Sequence, residues 1–239
     1  MSTKVKAIVI GAKDYKDKDK LITLYSLEQG KIVCSMRGVR GEKAKLKAAK
    51  ELFSFGEYII EEGKGFNLIT QVEVIDSFFG LSQDIDKYYE ACAILDIMNK
   101  ITSAQSEPAL FLNFVRCLKA LCYDEAPKFY CIDKFLIEVF QGLGYSFLTE
   151  QCSSCKGDLQ TKRYFNLDIG EFVCPACRNA SCIEVSEACY RAMRILDGTD
   201  YDKLGSIRLG GGGEVQSYRL LANNFEWRMG SKFCEIPTI

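Results

Sequence analysis

Cys152-Ser153-Ser154-Cys155 and Cys174-Pro175-Ala176-Cys177 are two Cys-x-x-Cys knuckles separated by eighteen residues. That spacing matches a structural zinc site. Two intervening residues let one tight turn aim both sulfurs at a single ion, about 2.3 Å from each, and a second turn completes the tetrahedron. The chain contains no histidine. A zinc held here is therefore all-thiolate, without an open position for an activated water, and histidine-based catalytic zinc is excluded. We expect one structural Zn2+ on Cys152, Cys155, Cys174 and Cys177. Four unligated thiols and a four-cysteine iron–sulfur cluster share the same spacing. A thioredoxin-like redox pair fits less well, because it should follow a strand and open a helix. Here Gly157 and Asp158 follow the first pair, and Pro175 sits inside the second.

Between the knuckles, Arg163 to Val173 reads as two short strands joined by a turn at Asp168–Gly170, as in a zinc ribbon. Residues 150–182 are assigned to this module. It is too small to bury a core of its own, so metal binding is expected to supply its folding energy.

Outward from the ribbon, the chain of 239 residues has ordinary globular composition, 48% hydrophobic and 26% charged. No apolar run reaches the roughly 18 residues needed to span a bilayer. The N-terminus runs straight into a strand-like pattern, with no signal-peptide core. Twelve cysteines in that setting point to a reducing, cytoplasmic compartment rather than a disulfide framework. Cys92, Cys117, Cys122 and Cys131 fall in helical stretches, where they read as small buried hydrophobes.

The expected fold is α+β and multidomain. Residues 1–80 read as five short strands: Val5–Ile10, Leu21–Leu27, Lys31–Met36, Glu51–Glu62 with a bulge at Gly56, and Phe66–Ile75 after a Gly63-Lys64-Gly65 turn. Five strands in so short a span predict a small closed barrel, an OB-fold first and an SH3-like barrel as the near alternative. After Phe79-Gly80 the period changes. Residues 81–149 and 183–239 form a helical domain into which the ribbon is inserted. Its first helix carries Ile85, Tyr88, Cys92, Leu95 and Met98 on one face. Ser106 caps a second helix, with Pro108 in its first turn and Leu110, Phe111, Phe114, Leu118 and Leu121 inward. A third starts near Lys128 and ends at Gly142 and Gly144. Ser186 caps a fourth, Gly210–Gly213 is a flexible link, and Glu214–Met229 closes the chain.

The net charge is −1, but its distribution is uneven. From Lys31 to Lys50 seven basic residues face one acid, Glu42, a local charge of +6. Lys31, Arg37, Arg40, Lys43, Lys45 and Lys47 form an electrostatic footprint for a polyanion on a glycine-containing loop. Catalysis finds no foothold. Without histidine the usual nucleophile–base arrangements are absent, and acidic pairs such as Asp84/Asp86 suit solvated surface. The chain reads as a binding protein, not an enzyme.

The assembled order resembles the bacterial recombination mediator family RecO. Tyr15-x-Asp17-x-Asp19-Lys20-Leu21, Thr23-Leu24-Tyr25-Ser26 and Gly30-Lys31 are similar to the family's opening barrel signature. Arg37-Gly38-Val39-Arg40 stands where the family carries a basic turn, and Leu143-Gly144-Tyr145 resembles its entry into the zinc module. Tyr164-Phe165, Gly170 and Cys174-x-x-Cys177 continue the match. Departures are Phe147 for a frequent proline, Lys156 before Gly157, and Trp227-Arg228-Met229-Gly230 where a histidine is common. The resemblance implies binding to single- and double-stranded DNA and annealing of complementary strands. It also implies contact with RecR and with the acidic, apolar C-terminal tail of single-stranded-DNA-binding protein, to help load RecA in the bacterial nucleoid. For that tail a helix at 107–122 offers Arg116 and Lys119 beside Phe111 and Leu118. A protein-interaction adaptor with no DNA contact, or a zinc-ribbon transcription accessory factor, is the competing class.

Overall fold

The computed structural model describes residues 2–39, 48–145, 147–159, 162–232, 234 and 236–237. Contacts divide the chain into two compact units, Met1–Ile85 with Leu95–Leu118, and Asp86–Ile94 with Lys119–Ile239. This outline differs from the sequence division because the helices after the barrel contribute to both units. Among the described residues no helix is long and apolar enough to cross a membrane.

The first unit is built on a closed barrel of β1 (Ser2–Tyr15), β2 (Asp19–Ser26), β3 (Gly30–Met36), β4 (Phe55–Glu61) and β5 (Asn67–Asp76), ordered β1-β2-β3-β5-β4. This is the expected OB-fold. β1 is more than twice the predicted strand because it serves two neighbours. Its first half pairs with β4, from Ser2↔Glu61 to Ile8↔Phe55, and its second half with β2, out to Tyr15↔Asp19. A bulge between Val9 and Gly11 bends the strand from one partner to the other. β3 and β5 close the circle in parallel. Val5, Ala7, Val9, Ile22, Leu24, Cys34, Met36, Tyr58, Ile60 and Ile69 alternate inward as the core. At about 1.5–3 kcal/mol for each large apolar side chain, that core stabilises the barrel without a metal.

β4 starts four residues later than its apolar pattern predicts. Phe53 takes φ +71°, and the turn there bonds to β1 instead, through Phe53 N–H to Val9 O and Val9 N–H to Ser54 O, both 3.0 Å. The expected irregularity at Gly56 is present, since the β4–β5 register shifts between Phe55 and Gly56.

Two helices follow, α1 (Ile85–Ile101) and α2 (Pro108–Tyr123). The apolar stripe of α1 is only half right: Ile85 and Tyr88 are exposed, and Ala91, Ile94, Ile97 and Met98 are buried. Ser106 has a different task from the predicted cap. Its hydroxyl donates to Leu27 O at 2.7 Å, pinning the β2–β3 turn.

In the second unit α3 (Tyr130–Gly142), α4 (Glu187–Asp197) and α5 (Gly213–Met229) pack on one another. α3 is buried from Tyr130 to Ile137. Ser186 caps α4 as predicted, its hydroxyl oxygen accepting from Cys189 N–H at 3.1 Å. The tetraglycine is a fitted turn and not a loose link. Gly212 caps α5 at φ +68°, and a side chain on buried Gly213 would strike Ala188 O at 2.4 Å. The ribbon has three strands where the pattern predicts two: β6 (Arg163–Asn166) is flanked by β7 (Glu171–Val173) and β8 (Cys182–Val185).

Candidate metal centre and nucleic-acid surface

The ribbon's two knuckles converge. The sulfurs of Cys152, Cys155, Cys174 and Cys177 all lie within 4.8 Å of one another. Cys155 Sγ and Cys174 Sγ are 3.8 Å apart, the edge of a tetrahedron whose centre lies about 2.3 Å from each sulfur. Backbone geometry builds this arrangement: Cys152 N–H donates to Gly157 O at 2.7 Å, and Cys177 N–H to Cys174 O at 3.0 Å, closing one turn each.

The thiols are also primed unequally. Burial works against charge on Cys152, but the N–H groups of Cys155, Cys174 and Ser154 outweigh it and hold the thiol down to about 6. The Cys174 N–H is 3.3 Å from that sulfur. Cys177 is pushed up to about 12, first by the sulfurs of Cys174 and Cys155, then by burial. Four sulfurs this close cannot all ionise alone; a cation among them replaces the protons. The donor set fits a soft, tetrahedral metal ion.

The module is not left to the metal for its packing. Phe165 and Phe172 are buried and belong to an edge-to-face chain that runs Phe140–Phe147–Phe165–Phe172–Tyr190, with centroids 5.2 to 5.8 Å apart. The ribbon therefore shares the apolar core of α3 and α4, which corrects the expectation that metal binding alone folds it.

The predicted cations of the barrel separate. Arg37 is exposed just past the end of β3. Its neighbour Gly38 is fixed, donating N–H to Asp19 Oδ1 at 3.0 Å. Lys50 anchors the other stem of the basic segment, donating to Val39 O at 2.6 Å. Arg40, Lys43, Lys45 and Lys47 lie outside the described residues. Lys31 is engaged elsewhere: half-buried, it donates to Asn99 O at 2.8 Å, satisfying a carbonyl of the last turn of α1, and burial lowers its pKa.

A family model described as Recombination protein O N terminal matches residues 1–78, and one described as Recombination protein O C terminal matches residues 82–233. The chain belongs to the RecO family. It is 27% identical to the DNA repair protein RecO of Clostridium novyi (strain NT), over 91% of this chain and 86% of that protein. It is 26% identical to the DNA repair protein RecO of Clostridium perfringens (strain 13 / Type A), over 84% and 82%. A 32% match to the DNA repair protein RecO of Desulfitobacterium hafniense (strain DSM 10664 / DCB-2) covers 72% of this chain and 63% of that one.

The structure bears on two further surfaces of this RecO-family chain. On α2, Arg116 and Lys119 are exposed, and Phe111 and Leu118 are buried as the stripe predicts, so these two side chains cannot line a surface groove; Leu112 and Tyr123 are exposed. On the barrel, a cavity of about 340 Å³ is lined by Tyr15, Lys16, Arg37, Lys64 and Phe66 among others. Of these, only Arg37 belongs to the basic block. Tyr15 ends β1 and Phe66 sits in the β4–β5 hairpin, far apart in sequence, and the closed barrel brings their rings together.

Proposed function

We propose that this chain is a non-catalytic mediator of DNA repair and homologous recombination. It binds single- and double-stranded DNA and anneals complementary strands. With RecR it helps to load RecA onto DNA coated by single-stranded-DNA-binding protein, whose acidic tail meets Arg116 and Lys119. We assign the DNA contacts to the barrel domain, residues 1–80. Residues 81–149 and 183–239 are the helical domain and 150–182 the ribbon. The reading places the protein in the cytoplasm, associated with the nucleoid.

The observation that carries the reading is the exposure of Arg37 at the end of β3, followed in sequence by Arg40, Lys43, Lys45 and Lys47. Cations on such a segment neutralise phosphates without reading bases. We assign the metal as a single Zn2+ with a structural role, because four thiolates complete its tetrahedron and leave no position for a reactant.

Fluorescence anisotropy with a labelled single strand, titrated with salt, tests the reading. About four phosphate contacts give a log–log slope near −3. Arg37→Glu with Arg40→Glu should weaken binding and flatten the slope alike for unrelated sequences. An adaptor that takes only acidic peptides would bind no DNA at any salt, and that result overturns the proposal.

A further inference from the structure

The 340 Å³ cavity lies where three parts of the barrel meet: the β1–β2 turn with Tyr15 and Lys16, the end of β3 with Arg37, and the β4–β5 hairpin from Glu61 to Phe66. Phe66, at the base of that hairpin, is 43% exposed. Its ring meets Tyr15 edge to face, with centroids 5.8 Å apart and planes at 81°. Lys16 Nζ stands 5.1 Å from the Tyr15 centroid. The hairpin is tightly closed, for a side chain on Gly63 would meet Phe66 O at 2.2 Å, and Phe66 is thereby held in place.

The charge of the cleft decides which part of a ligand it takes. Lys16, Arg37 and Lys64 are balanced by Asp19, Glu61 and Glu62. With three charges of each sign, the cleft gives no net attraction to a phosphate. It suits a flat, uncharged group with polar edges, and a nucleobase has that form. Attraction for phosphates comes instead from the cations that follow Arg37 in sequence, Arg40, Lys43, Lys45, Lys47 and Lys50 against the single acid Glu42.

We infer that Tyr15 and Phe66 form a nucleobase-stacking site that takes one base of a single strand while an adjoining phosphate meets Arg37. The inference rests on the reading of the barrel as a DNA-binding domain and adds strand discrimination to it. A duplex keeps its bases stacked inside and has none to offer. Stacking on a protein ring is also tolerant of sequence.

The test compares the full-length wild type, Phe66→Leu, Phe66→Trp, the double variant Tyr15→Leu/Phe66→Leu, and Arg37→Glu. Each is titrated with a thymine oligonucleotide carrying one 2-aminopurine, and with the matching duplex. The double variant should lose about tenfold in single-strand affinity, as one lost stacking platform implies. Its duplex affinity and salt slope should not change, and the 2-aminopurine quenching should disappear. Phe66→Trp should retain both affinity and quenching. Phe66→Leu, altering a half-exposed side chain, keeps the test valid if the double variant fails to fold. Unchanged single-strand binding in the leucine variants, with Arg37→Glu weakened, overturns the stacking site and leaves the DNA reading standing. Equal losses for single strand and duplex also overturn it. A wild type that binds neither DNA removes the reading and the site together.

Discussion

Arg228 on α5 occupies the space that a side chain at Gly170 would need, its Nη2 lying 1.6 Å from where that Cβ would stand. Nη2 donates to Ile169 O at 2.7 Å, Nε donates to Asn224 Oδ1 at 3.1 Å, and the guanidinium carbon sits 3.8 Å from the centroid of Tyr145. One arginine thus clamps the β6–β7 turn to α5. Glycine is required at 170 both for φ +65° and for this approach.

Arg228→Met removes two charge-assisted hydrogen bonds and a cation–π contact. It should lower the unfolding free energy by roughly 1.5–3 kcal/mol. Gly170→Ala should cost at least about 1 kcal/mol, because it forces the guanidinium out and strains the turn. The two losses should overlap. A double-mutant cycle in urea is expected to give a coupling of at least about 0.5 kcal/mol. Strict additivity would show that the arginine and the turn act independently.

For the metal, elemental analysis should find about one zinc per chain. Chelation should expose four further thiols to a thiol reagent and lower the melting temperature. It should not unfold the second unit, since Phe165 and Phe172 stay packed against Phe147 and Tyr190. Far-ultraviolet circular dichroism should therefore change little on metal removal. Iron with sulfide in place of zinc, or collapse of all helical signal, would contradict this account.

Lys31 offers a contrast between structural and DNA-contacting cations. Lys31→Met breaks its bond to Asn99 O and should destabilise the protein by about 1.5–3 kcal/mol, as for other hydrogen bonds from charged groups. The salt slope for DNA should not move, whereas Arg37→Glu should flatten it. A flattened slope in Lys31→Met would return that lysine to the DNA surface.

Local rules made parts of this molecule readable in advance. Cys-x-x-Cys is a turn and a candidate ligand pair at once, so the convergence of the four cysteines could be read from four letters and a spacing. Ser186 caps α4 by a bond that spans three residues, and the Gly63–Gly65 turn is equally local. What escaped was set by distant partners. β8 is four residues long, too short for a period, and exists because β6 has a free edge. Ser106 and Lys31 have ordinary surface chemistry, redirected by Leu27 and Asn99. The Tyr15–Phe66 pair depends on how the barrel closes, which no window of sequence contains.

Glu90 is the last case and gives a pH prediction. It is 2% exposed on α1, and its carboxylate accepts N–H groups from the start of α3, Ile132 at 3.0 Å and Phe129 at 3.3 Å. Phe129, at φ +73°, supplies no side-chain cap of its own. Burial dominates and raises Glu90 from 4.5 to about 7; the two N–H groups and Lys128 offset part of that, while Asp86 adds to it. Asp133 moves the same way. Burial holds it well above the carboxylate range, with Ser217 acting against the shift and Glu90 adding to it, and among the described residues neither of its oxygens has a hydrogen-bond partner. An acid raised in the folded state binds its proton more tightly there than when unfolded. Its stabilising contribution is complete below pH 4.5 and is lost as pH rises through about 7. At about 1.4 kcal/mol per unit, Glu90 alone should remove on the order of 3 kcal/mol across that window. Urea unfolding followed by Trp227, the single tryptophan, reports on this unit. The wild type should be less stable at pH 8 than at pH 5. Glu90→Gln keeps an oxygen for one N–H and cannot ionise, so its loss over the same range should be smaller by about 2–3 kcal/mol. If the glutamine variant keeps the wild-type slope, the proton is bound elsewhere.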